Sequence, residues 1–64
     1  MTGSELRRLR TQAGLTQQEL ARRADVNRRT IIRWETGKFP IPAMVARGLE
    51  TILAGVMSER AGST

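Results

Sequence analysis

The chain has no cysteine, no histidine and only one lysine. Without cysteine it can form neither a disulfide nor a thiolate metal site. Without histidine it lacks the usual imidazole ligand and general base. The six carboxylates, Glu5, Glu19, Asp25, Glu35, Glu50 and Glu59, are scattered along the chain, with no phosphate-cradling glycine loop or nucleophile motif beside them. Catalysis, a metal, a cofactor and a small-molecule ligand are therefore not expected. No apolar run is long enough to cross a bilayer, and Met1-Thr2-Gly3-Ser4-Glu5 lacks the basic-then-apolar layout of a signal peptide. The expected setting is a reducing cytoplasm, away from membranes. At 64 residues the chain makes one domain. Such a chain buries only about 60% of its unfolded surface. The remaining ways to gain stability are well-formed helices and association with a second copy.

What is present in excess is positive charge. Eleven basic residues face six acidic ones, a net +5, and ten of the eleven are arginine. Lysine would serve solubility equally well, whereas arginine offers a planar fork of donors that fits phosphate oxygens and the acceptor edge of guanine. The bias points to nucleic acid over a merely solvated basic surface.

The apolar spacing is helical throughout. Leu6, Leu9 and Ala13 share one face, and Gly14 supplies a left-handed stop, which predicts a helix over about 4–13. Thr16 and Glu19 form a Thr-x-x-Glu capping box, with Leu15 and Leu20 placed as a hydrophobic staple, so a second helix runs over 17–24. After a very short turn at Asp25-Val26, Asn27 is a natural N-cap and Val26 can staple onto Ile31. A third helix over 28–36 stops at Gly37. Pro40 and Pro42 make the next stretch a loop. A fourth helix over about 42–55 carries the stripe Val45, Leu49, Ile52, Leu53 and Val56, weakened by Gly48 and Gly55. The folded domain is expected to cover 1–57, with 58–64 a flexible tail. Two short helices joined by a short turn are a helix-turn-helix.

The third helix bears on function. At 100° per residue Ile31 and Trp34 share a face that must be buried, while Arg29, Ile32, Arg33 and Thr36 lie roughly opposite and Arg28 flanks them. Three arginines on the free side of a two-turn helix make a poor protein core and a good groove reader. Trp34 reads as core, since one aromatic cannot build a stacking platform for single strands. Ile32 stays open between a thymine-methyl contact in the groove and a half-buried scaffold position. Arg7, Arg8, Arg22 and Arg23 read equally as phosphate contacts or solubilising charge, and Arg47 sits near the start of the fourth helix.

The run Leu15-Thr16-Gln17-Gln18-Glu19-Leu20-Ala21, followed by Val26-Asn27, Ile31, Trp34-Glu35 and Gly37-Lys38, resembles the phage repressor and Cro family of helix-turn-helix proteins over about residues 5–55. The resemblance implies an all-α, lambda-repressor-like DNA-binding domain of four to five helices. It implies base reading by Arg28, Arg29 and Arg33, and backbone or groove-wall contacts by Gln17, Asn27, Thr36 and Lys38. Gln17 would hold a phosphate and brace the first residue of the third helix, and Arg10 would pair internally with Glu35. One position departs from the family: its turn residue, often glycine, is Asp25, which tolerates the left-handed conformation better than most residues.

Surplus apolar side chains at Ile41, Met44, Ile52, Val56 and Met57 would suit a two-fold homodimer on palindromic double-stranded DNA. The expected function is a dimeric repressor, autoregulating a phage or mobile-element operon in a bacterial or phage-infected cytoplasm. The absence of a second domain favours it, since occupying a promoter needs only the DNA-binding unit. The rival reading is an antitoxin-like module that uses the same fold to hold another protein, for which a long accessory helix or tail would speak.

Overall fold

A computed structural model describes residues 1–62, with side chains through Glu59. Four helices follow in order: α1 (Gly3–Gln12), α2 (Gln17–Ala24), α3 (Arg28–Glu35) and α4 (Ala43–Gly62). The first three match the sequence expectation to within a residue at each end. Their starts have visible causes. Thr2 Oγ1 accepts from the Glu5 amide at 3.1 Å and caps α1. For α2 the capping box is complete: the Glu19 amide donates to Thr16 Oγ1 at 3.0 Å, and the Thr16 amide donates to Glu19 Oε1 at 2.9 Å.

Their ends share one device. Gly14, Asp25 and Gly37 are left-handed, with φ of 74°, 56° and 79°. Each is bracketed by the two hydrogen bonds of a Schellman motif. After α1 these run from Leu15 N to Arg10 O (3.1 Å) and from Gly14 N to Thr11 O (3.0 Å). After α2 they run from Val26 N to Ala21 O (3.0 Å) and from Asp25 N to Arg22 O (3.3 Å). After α3 they run from Lys38 N to Arg33 O (3.0 Å) and from Gly37 N to Trp34 O (3.2 Å). Asp25 thus adopts the conformation usually left to glycine, as its short polar side chain allows.

The core gathers Leu6, Ala13, Leu15, Leu20, Ala21, Ile31, Trp34, Leu49, Leu53 and Val56, with Leu9, Val26, Ile41, Val45 and Ile52 packed around them. The backbone of α3 is approached closely by Gly3: a Cβ there would collide with the Trp34 carbonyl oxygen and lie 2.7 Å from that of Glu35. Only glycine fits where the start of α1 meets the end of α3.

The fourth helix departs from the expectation. Pro42 lies just outside it, its carbonyl accepting from the Ala46 amide at 2.9 Å, and helical backbone continues to Gly62, not to about 55. The expected tail over 58–64 therefore meets α4 through Gly62, and residues 63–64 lie outside the described ones. Nothing between Ser58 and Gly62 lacks a backbone donor or forces a turn, and Gly55 alone does not end a helix. No helix of the described residues is long and apolar enough to cross a membrane.

Candidate nucleic-acid interface

The α3 helix is held from one side. Ile31 is 0% and Trp34 9% exposed. Glu35 adds a polar anchor at the C-terminal end, where Arg10 Nε donates to its Oε2 at 2.6 Å and Arg10 Nη2 to its Oε1 at 3.2 Å. Arg10 Nη1 also donates to the Leu15 carbonyl at 2.9 Å. One guanidinium thus ties α1, the α1–α2 turn and α3 together, and the internal pair implied by the resemblance is present.

The opposite side is free. Arg28, Arg29 and Arg33 are exposed, and among the described residues none of their guanidinium groups has a hydrogen bond or ion pair. Asn27 stands at the N-cap position, exposed, with no side-chain capping bond. The positive end of the α3 dipole, with its first amides, is therefore uncapped beside two arginines, a combination that attracts phosphate. Arg28, Arg29, Asn27 and Ile32 line one shallow groove together with Val26 and Gln18. Ile32 is half-buried in its wall. Gln18 escaped the sequence reading. Its signal is position: it lies on the first turn of α2, next to Gln17.

Gln17 itself is placed otherwise than expected. Its Nε2 donates to Glu35 Oε1 at 3.1 Å, so it braces the C-terminal end of α3 and not Arg28 at the N-terminal end. With Arg7, Thr16 and Thr36 it lines a second concavity beside Glu35. The Thr36 hydroxyl donates to the Arg33 carbonyl of its own helix at 3.1 Å, while Lys38 is exposed on the following loop. Arg33 carries a contact the sequence did not suggest: its guanidinium carbon lies 5.6 Å from the centre of the Phe39 ring.

The expected dimer residues divide. Met44 is 87% and Met57 41% exposed, and Ile41 and Ile52 are half-buried. Val56 is corrected: at 4% exposure it belongs to the core, because it follows Leu49 by two helical turns and falls on the same inward face. Ile52 borders an apolar groove with Ala24, Val26, Trp34, Val45, Gly48 and Leu49.

Residues 6–54 match the family described as Helix-turn-helix, which spans most of the chain. The chain belongs to that family, whose members of the Cro and repressor type are DNA-binding transcription regulators. Comparison with curated proteins and with solved structures gives no match.

Proposed function

We propose that the protein is a sequence-specific repressor that binds palindromic double-stranded DNA in the cytoplasm as a homodimer, reading bases with Arg28, Arg29 and Arg33. The observation that carries this reading is the division of α3: Ile31, Trp34 and Glu35 hold it, and three unpaired arginines occupy the free side. A bidentate arginine–guanine contact discriminates by about 1–3 kcal/mol per base. Two or three of them, doubled by symmetry, suffice for a specific site containing G in each half. Asn27, the uncapped start of α3 and Lys38 supply backbone contacts, and Gln17 supports the surface through Glu35. A two-fold dimer of this kind sets its recognition helices about 34 Å apart, one turn of DNA.

Selection of bound sequences from random duplexes is the test. A two-fold symmetric, G-containing consensus is expected, and enrichment of no sequence at low salt would refute the proposal. Arg29→Ala should relax preference at one position per half-site. Lys38→Ala should weaken all duplexes alike and flatten the salt dependence by about one unit of slope.

The length of α4, 20 residues, favours a second reading in which the same fold holds a different protein through that helix. The solution mass separates the two: a dimer at micromolar concentration supports the first, and a monomer that gains no second copy on DNA favours the second.

A further inference from the structure

We infer that Phe39 is a specificity-determining positioning residue: its ring holds the Arg33 guanidinium in one orientation while leaving every donor of that group free for a base edge. The inference rests on the proposed base reading and extends it to a residue outside α3. Arg10 and Arg33 show the two ways this chain fixes an arginine. Arg10 has Nε, Nη1 and Nη2 committed to Glu35 and the Leu15 carbonyl, which fixes it and consumes its capacity to read anything else. Arg33 is held by a ring face at 5.6 Å. The attraction is between the ring face and the delocalised charge, so it does not require any of the five N–H donors to be spent on a conventional acceptor.

Holding Arg33 matters because a free arginine carries rotamer entropy that must be lost on binding. Phe39 is placed for the task. It is 46% exposed, an unusual place for a phenylalanine in a chain with so little aromatic content. It follows Gly37 and Lys38 directly, so the Schellman bond from Lys38 N to Arg33 O at 3.0 Å ties the start of its loop to the residue it covers. The backbone that carries the ring is thereby held against the end of α3, which keeps the ring within reach of the guanidinium.

The test compares the wild type with Phe39→Leu, Phe39→Tyr and Arg33→Ala by selection from a random duplex library, alongside the proton shift of Arg33 Hε in the free protein. In the wild type the Hε resonance should carry the upfield shift of a stacked ring, lost in Phe39→Leu and kept in Phe39→Tyr. Phe39→Leu should lose about 2- to 5-fold of base discrimination at the position Arg33→Ala abolishes, keep its affinity for random duplex, and be restored by Phe39→Tyr. An unchanged consensus with Phe39→Leu, a uniform loss on all duplexes, or sharper discrimination without the ring would each overturn the inference while leaving the proposed function standing. If the wild type itself selects no consensus, base reading fails and this inference with it. The Hε shift then reports separately whether the ring holds the arginine.

Discussion

Removal of one partner from the Arg10–Glu35 pair should affect the stability of this domain more than any change on the free side of α3. The side chains are 12% and 4% exposed, so the pair is essentially buried, and the Glu35 carboxylate has three donors, two from Arg10 and one from Gln17. Arg10→Met strands a buried carboxylate with one neutral amide, and breaking such a pair costs about 3–5 kcal/mol. Glu35→Leu is milder. Arg10 keeps the Leu15 carbonyl at 2.9 Å and can carry its head to water on a long stem, so the loss is that of its charged hydrogen bonds, about 1.5–3 kcal/mol. A 64-residue domain has about 3–10 kcal/mol in total, so Arg10→Met approaches complete unfolding at room temperature. The double variant Arg10→Met with Glu35→Leu replaces the pair by apolar side chains and should recover at least about 2 kcal/mol relative to the sum of the single changes. Urea denaturation followed by the fluorescence of Trp34, the lone tryptophan and a neighbour of Glu35, with circular dichroism in parallel, measures all four corners of the cycle. Additivity within about 0.5 kcal/mol, or single changes that each cost less than that, would refute the argument that the pair is a buried, coupled anchor.

Three further outcomes are expected. Gly3→Ala should destabilise by about 1–3 kcal/mol despite alanine's better helix propensity, because its Cβ meets the α3 backbone; thermal unfolding should show the loss, and an unchanged midpoint would contradict the close approach. Asp25→Gly should raise stability by about 0.5–1 kcal/mol and Tm by a few degrees, since φ of 56° favours glycine, and a lower Tm would show that Asp25 contributes more than its backbone conformation. The Thr16 amide, then the Thr16 hydroxyl, hold the Glu19 carboxyl below its ordinary value of 4.5, with Arg23 and Arg22 adding to the effect against a small desolvation. Its contribution to stability is therefore complete above that ordinary value and disappears as pH falls through the lower folded-state value. Glu19→Gln, which keeps an acceptor for the Thr16 amide, should flatten this part of the acid profile of the urea midpoint.

The parts of this molecule that were legible in the sequence are those set by neighbouring residues. Thr16 and Glu19 mark the start of α2, and Gly14 and Gly37 mark the ends of α1 and α3, because capping and left-handed closure involve partners only a few positions away. Thr2 and Glu5 bear the same kind of signal at the start of α1 and were passed over. What stayed hidden depends on elements meeting across the fold. Gly3 looks like an ordinary helix-start glycine until α3 lies against it. The bond from Gln17 to Glu35 crosses from α2 to the far end of α3, and Phe39 gains meaning only because its loop turns back over Arg33. In the sequence Val56 stands both on the apolar stripe of the fourth helix and among the surplus apolar residues of a small chain, and only its packing shows that the core takes it.

The attachment of α3 has a consequence for how such a protein can change. Every side chain that fastens the helix, Ile31, Trp34 and Glu35, lies on one side, while positions 28, 29 and 33 contribute nothing to the interior. On the proposed base reading those three positions are interchangeable parts: replacing them would alter which duplex is preferred and leave the scaffold standing. The same reading implies that the target can change by surface substitutions alone, with the fold intact at every step.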